Sequence, residues 1–278
     1  MTIRLAALDL DGTLLDPFAK LTPKVRSAVE TLSRRGVRVV VCTGRRFRTA
    51  LPHARDLGLD GEIIVNNGVL VKDIASGRTL QHAFLDPHLY GGVLEHLRQH
   101  APPLVYIDTY HDGTDILSER IDAMHAFQRE YVDDTSEFLQ IVDDLGKRDG
   151  EGVIMISTMA DEPTLEQLRE GALERFGARV QTHSIINKNY QGSILEFLSP
   201  DAGKWTALER LAASWGIGPS EIAAVGDDTN DAEMIREAGL GIAMGNAGEH
   251  VQAVADTVVN SNAEGGAIQA IERILARL

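Results

Sequence analysis

A short apolar run, Ile3 to Leu8, ends directly on the pentapeptide Asp9-Leu10-Asp11-Gly12-Thr13. A run of that length and character reads as a buried strand of a parallel sheet. Open α/β sheets bind their ligands at the carboxyl ends of such strands. Two carboxylates one residue apart at that end, followed by a Gly-Thr turn, offer a nucleophile and an acid/base side by side. A calcium loop of the helix–loop–helix type does not fit, because it needs glycine sixth and glutamate twelfth. Here the glycine is fourth and the twelfth position is Lys20. Taken alone, the pentapeptide could still be a turn with only structural duties, so the rest of the chain has to decide.

The segments that follow keep an α/β rhythm. Thr22-Pro23 supplies an N-cap and a proline at the first helical position, and Arg34, Arg35 and Gly36 close that helix. Val37 to Cys42 reads as a strand, Arg46 to Leu57 as a helix and Glu62 to Val65 as a strand, followed by the turn Asn66-Asn67-Gly68 and an extended pair around 69–71 and 78–81. This order predicts a doubly wound, Rossmann-like parallel sheet with right-handed crossovers. The middle of the chain differs. Val105–Tyr110 and Asp115–Leu117 flank a turn and read as a hairpin, with further strands at Val153–Met159, Arg179–Thr182 and Ser193–Leu198 and a helix at Leu165–Phe176. After Pro200 the rhythm returns, with helices over 205–215, 231–238 and 267–278 and strands over 222–225, 240–244 and 257–259. The expected organisation is an α/β core from residues 1–84 and 198–278, interrupted by an inserted α+β domain over 85–197.

Charge follows the same division. The formal net charge is −14; residues 85–197 carry 9 Lys+Arg against 21 Asp+Glu, and the remainder carries 18 against 20. An acidic balance of this size argues against a nucleic-acid partner, and the asymmetry suggests two domains with different surfaces, or a solvated face that serves solubility. No apolar run approaches the length of a membrane span, and the acidic pair arrives too early for a signal peptide. The single cysteine, Cys42, excludes an intramolecular disulfide and fits a cytoplasmic protein.

Four separated features end predicted strands or open predicted helices of the α/β part: Asp9/Asp11; Thr43-Gly44-Arg45 after the second strand; Lys204 after Pro200; and Gly226-Asp227-Asp228-Thr229-Asn230-Asp231 after the strand 222–225. Each has an ordinary structural explanation as a turn, a solvated lysine or a helix cap. Their joint occurrence at strand ends and helix starts does not. In this set and order the chain resembles a haloacid dehalogenase superfamily phosphohydrolase of the Cof-type subfamily, which carries a type IIB cap. Asn67-Gly68, Gly245-Asn246-Ala247 and Ser261-Asn262-Ala263-Glu264-Gly265-Gly266 are also similar to Cof-type sequences. The likeness is good at both ends and weak through the middle.

The resemblance implies an Mg²⁺-dependent phosphatase acting on small phosphorylated metabolites, sugar phosphates foremost, through an aspartyl-phosphate. Asp9 would be the nucleophile, with Asp11 as acid and then base. Asp9, the Asp11 main-chain carbonyl and Asp227 would hold the metal, and Asp231 would orient a metal-bound water or Lys204. Lys204 would supply the other positive charge, and Thr43, Gly44, Arg45 and Asn230 would bind the phosphoryl group. P-type ATPases of the same superfamily carry threonine at the position of Asp11, so Asp11 points to fast turnover, in a phosphatase or, alternatively, a phosphomutase. A non-catalytic regulatory protein is the weakest alternative, since Asp9, Asp11, Lys204 and Asp227 are all present. The expected partner is a small-molecule phosphate ester, with no nucleic acid and no membrane; the oligomeric state is open. Cap candidates for substrate contact are Asp108, His111, His183, Asn187 and Asn189.

Overall fold

A computed structural model describes residues 2–119, 126–187 and 192–278. They divide into two compact units, one running up to His82 and resuming over Gly203–Leu278, the other Ala83–Ala202. These boundaries differ slightly from 84/85 and 197/198, because the turn in which Ala202 N–H donates to Ser199 O (3.0 Å) belongs with the strand before it.

The first unit begins with β1 (Leu5–Leu8), α1 (Pro23–Arg34), β2 (Arg38–Cys42), α2 (Phe47–Asp56), β3 (Glu62–Val65), β4 (Leu70–Asp73) and β5 (Thr79–His82). The second unit contains α3 (Pro87–Arg98), β6 (Leu104–Ile107), β7 (Ile116–Ser118), α4 (Ala126–Asp134), β8 (Leu139–Ile141), β9 (Val153–Ala160), α5 (Glu162–Phe176), β10 (Gln181–Asn187) and β11 (Gly192–Leu198). The first unit then resumes with α6 (Lys204–Ser214), β12 (Ile222–Gly226), α7 (Ala232–Glu237), β13 (Leu240–Ala243), α8 (Glu249–Gln252), β14 (Thr257–Val258) and α9 (Gly266–Leu275).

The sheet of the first unit has the order β14-β13-β12-β1-β2-β3-β4-β5. It is parallel from β14 to β3, and β4 and β5 fold back antiparallel. β1 and β12 are buried along their whole lengths, which their alternation-free sequences require. Their alanines face one another in register, Ala6 with Ala223 and Ala7 with Ala224. One face, built from Leu5, Ala7, Val40, Cys42, Ile64 and Ala224, packs against Trp205, Leu208 and Leu211 of α6 and Met234 of α7. Strand order reverses at β1, with β2 and β3 on one side and β12 to β14 on the other, and that is where doubly wound sheets form a binding crevice.

The second unit is a six-stranded sheet, β10-β11-β9-β6-β7-β8, antiparallel except between β7 and β8. Leu89, Val93, Leu97, Leu165, Leu168 and Phe176 of α3 and α5 pack on Val105, Ile156, Leu195 and Phe197 of the sheet. Neither α3 nor α4 is among the sequence expectations. α3 was legible: Asp86 accepts from His88 N–H (2.9 Å), Pro87 opens the helix, and Leu89, Tyr90, Val93, Leu94 and Leu97 form its buried stripe. α5 starts at Glu162 rather than Leu165, because Asp161 caps it by accepting from Thr164 N–H. β10 runs to Asn187 rather than ending at Thr182, because β11 offers it partners through Gly192. No described helix is long and apolar enough to cross a membrane.

Candidate active site

The parallel strands bring distant loops to one edge. Asp9 follows β1, its N–H donating to Val225 O (3.0 Å); Thr43 follows β2, donating to Ile64 O (2.9 Å); and Asp227 follows β12. After Asp9 the chain turns sharply through Leu10–Leu14, with Gly12 at φ 76°. A Cβ on Gly12 would stand 2.1 Å from Asp227 Oδ2, so only glycine permits this approach of the two loops.

Lys204, the first residue of α6, lies at the centre of the cluster and is 3% exposed. Its ammonium donates to Asp9 Oδ1 (2.8 Å) and to Asp231 Oδ1 (2.6 Å). Burial alone would lower its pKa, but the Asp231 and Asp9 carboxylates outweigh it and hold the group above the ordinary lysine value. Asp231 is fully buried, and its Oδ2 accepts from the N–H groups of Asp227 and Asp228 (3.1 Å each). Both oxygens of Asp231 are thus engaged by donors of the chain, so it anchors Lys204 and the turn after β12. Burial raises the Asp9 carboxyl well above the usual carboxylate range against the pull of Lys204.

Asp227 completes the group. Its Oδ1 accepts from Thr13 Oγ1 (3.1 Å) and its Oδ2 from Asn246 Nδ2 (3.0 Å). Burial, reinforced by the Asp231 charge, pushes its pKa up to about 7. Asp9, Asp227 and Asp231 each present an oxygen within 4.8 Å of the others. Three buried or half-buried carboxyl groups meet the one ammonium of Lys204, so the donor set is hard, oxygen-only and short of positive charge, as a site for a hard divalent cation would be. Asn246 is not among the site residues expected from the sequence, although Gly245-Asn246-Ala247 is part of the resemblance. Its Nδ2 also donates to Gly12 O (2.9 Å), its Oδ1 accepts from Asn262 N–H (2.9 Å), and Asn262 Nδ2 donates to Leu15 O (2.9 Å). The loops after β13 and β14 thereby brace the turn after β1.

The Asp11 side chain is not part of the acidic group. It points to Arg45, which grips it in a fork: Nε to Oδ2 and Nη2 to Oδ1, both 2.6 Å. The hydrogen bond to Asp11 raises the Arg45 pKa. On its other side Arg45 Nη1 lies 3.0 Å from Nε2 of His53, on α2. Burial and then the Arg45 charge lower the His53 pKa, which favours the neutral ring with Nε2 accepting. Sequence reasoning placed Arg45 with the phosphoryl binders and did not foresee either contact.

Thr43 is buried, and its Oγ1 accepts from Arg45 N–H (3.1 Å). Asn230 donates from Nδ2 to Asn67 Oδ1 (2.8 Å), and a Cβ on Gly44 would meet Asn67 Oδ1 at 2.8 Å. Thr43, Gly44 and Asn230 are thus drawn together around Asn67. In the second unit, His111 lies in the turn before Gly113 (φ 83°), and Asp108 follows β6. His183 pairs across from Glu196, with Nδ1 3.9 Å from Oε2, and burial lowers its pKa. Asn187 ends β10, and Asn189 lies outside the described residues.

Sheet order and the buried Asp–Lys–Asp cluster together describe an α/β chain with a candidate site at the topological switch. A family model for haloacid dehalogenase-like hydrolases matches residues 6–271, and the chain belongs to that family. Phosphatase YwpJ of Bacillus subtilis (strain 168) is 28% identical over 293 residues, covering 98% of this chain and 100% of that protein. HMP-PP phosphatase of Serratia proteamaculans (strain 568) is 30% identical over 247 residues, covering 88% and 84%. Among solved structures, a haloacid dehalogenase-like hydrolase from Bacteroides thetaiotaomicron matches with TM-score 0.82 at 25% identity, covering 98% of this chain and all of that one.

Proposed function

We propose that the protein is a Mg²⁺-dependent phosphatase that hydrolyses small phosphorylated metabolites, sugar phosphates first, through an aspartyl-phosphate on Asp9. The observation that carries this reading is the buried Lys204 bridging Asp9 and Asp231 beside Asp227. That two relatives carry the name phosphatase supports it.

Lys204 holds Asp9 through Oδ1, which leaves Oδ2 to attack phosphorus. The new Oδ2–P bond forms as the P–O bond to the leaving alcohol breaks. Asp9, Asp227 and the Asp11 main-chain carbonyl would hold Mg²⁺, while Asp231 steadies Lys204 and the turn after β12. Bound there, the ion would neutralise charge on the phosphoryl oxygens. Thr43, the Gly44 N–H and Asn230 donate to those oxygens. Arg45 links binding to proton transfer. Entering phosphoryl oxygens compete with Asp11 for the guanidinium, and Asp11, once released, takes up a proton from solvent and passes it to the leaving oxygen. It then takes one from the water that opens the acyl-phosphate. The acidic balance of the chain, 27 Lys+Arg against 41 Asp+Glu, disfavours a polyanionic substrate and favours the ester of a neutral polyol. A metabolite substrate and a lone, buried Cys42 fit a cytoplasmic enzyme.

The test is phosphate release from sugar phosphates, nucleotides, flavin mononucleotide and pyridoxal phosphate, with Mg²⁺ and with chelator. Metal-dependent release that is strongest on sugar phosphates and absent in Asp9→Asn is expected. Turnover by Asp9→Asn at the wild-type rate would refute the nucleophile, and a preference for polyanionic esters would refute the substrate class.

A further inference from the structure

The turn after β3, Asn66-Asn67-Gly68, is left-handed through three successive residues, with φ of 51°, 55° and 89°. L side chains are disfavoured there, and backbone of this kind gathers at functional sites. Asn67, 3% exposed, is its centre. Its N–H donates to Thr43 O (3.2 Å), and its Oδ1 accepts from Asn230 Nδ2 (2.8 Å). Gly68 presses on the residue before Lys204, since a Cβ there would meet Gly203 O at 2.1 Å. One turn therefore touches the Thr43–Gly44 loop, Asn230 and the start of α6.

Asn230 depends on this turn for its orientation. Its Oδ1 is buried without a hydrogen-bond partner, so among the described residues the bond to Asn67 is what fixes its carboxamide. An Asn Nδ2 carries two hydrogens; with one held by Asn67 Oδ1, the other is directed by the plane of the amide. The same Asn67 oxygen stands 2.8 Å from where a Cβ at position 44 would be, so glycine there lets the Thr43–Gly44 loop lie against the Asn67 carboxamide.

We propose that Asn67 is a positioning residue for phosphoryl recognition: it aims the second Nδ2 hydrogen of Asn230 at the phosphoryl oxygens. This inference rests on the phosphatase reading and adds to it a residue that takes no part in the chemistry. A misplacement of about an ångström at such a donor costs up to about 100-fold.

The test uses the full chain loaded with Mg²⁺, with inorganic phosphate as the probe, read both by calorimetry and as an inhibitor of ester hydrolysis. Asn67→Gly keeps the left-handed backbone and removes the carboxamide. It is expected to hold its thermal midpoint and its Mg²⁺ affinity while phosphate binding weakens about 10- to 100-fold. The double variant Asn67→Gly/Asn230→Ala is expected to bind phosphate no more weakly than Asn230→Ala alone, because one residue acts through the other. Wild-type phosphate affinity in Asn67→Gly, or losses that multiply in the double variant, overturns the proposal. So does a thermal midpoint lowered further than in Asn230→Ala, which would make the turn a structural support only. A wild-type protein that releases no phosphate from any ester refutes the phosphatase reading itself; one that turns over normally with unaltered Asn67 variants refutes only this inference.

Discussion

Replacing Lys204 by methionine keeps the length and packing of the side chain and removes an ammonium that is 3% exposed. The carboxylates at 2.8 Å and 2.6 Å lose their counter-charge while staying buried. Breaking a buried pair from one side costs about 3–5 kcal/mol, most of it the price of the unpaired charge. The loss depends on pH. Burial already raises Asp9 well above the usual carboxylate range, and Lys204 opposes that rise; without Lys204 the folded-state pKa climbs further. A carboxyl with a folded pKa above its unfolded one is most stable below the unfolded value, and loses that stability as pH rises through the folded one. The gap between Lys204→Met and wild type should therefore be wider at about pH 8 than at about pH 5. Both tryptophans of the chain, Trp205 and Trp215, lie in the first unit, so their fluorescence in urea reports its unfolding. The measurement is made on metal-free protein. A loss below about 1 kcal/mol, the value of an exposed pair, or an equal loss at both pH values, would refute the reasoning. Adding Asp9→Asn to Lys204→Met should recover part of the stability.

The acidic group makes a second prediction. With Asp227 pushed up to about 7, protons compete with a divalent cation below that value, so Mg²⁺ affinity by calorimetry should fall between about pH 8 and pH 5.5, with proton release on binding. Affinity unchanged over that range would remove Asp227 from the ligand set. Asn246→Ala deletes the donor that ties Asp227 Oδ2 to Gly12 O; it should weaken Mg²⁺ binding about 10-fold or more, and unaltered binding would show that the brace does not orient Asp227.

What the sequence revealed and what it hid follow from the physics of the two units. Asp9, Thr43 and Asp227 each end a buried strand, so the apolar runs before them marked their place at one edge before any pairing was known. Their adjacency follows from β12, β1 and β2 being neighbours. The grip of Arg45 on Asp11 and the meeting of Asn67 with Asn230 are contacts between loops, set by backbone turns that carry no periodic signal. Asn66-Asn67-Gly68 reads as a turn in the sequence, but its left-handed backbone and its contact with Gly44 and Asn230 exist only once β3 stands beside β2. In the second unit α3 had both cap and stripe and could have been read. The extent of β10 could not, because it is fixed by β11 across a segment with little pattern of its own.

The central claim is that Asp9 carries the phosphoryl group. Asp11→Asn keeps Asp9 but can neither protonate a leaving alcohol nor activate water, so it should accumulate the phosphoryl group when mixed with Mg²⁺ and an aryl phosphate, whose leaving group needs no proton, then quenched in acid and digested. The account predicts the mass of one phosphoryl group on the peptide containing Asp9, lost on treatment with hydroxylamine and absent from Asp9→Asn. Phosphate released by the wild type with no such adduct in Asp11→Asn, or an adduct on another residue, would contradict it.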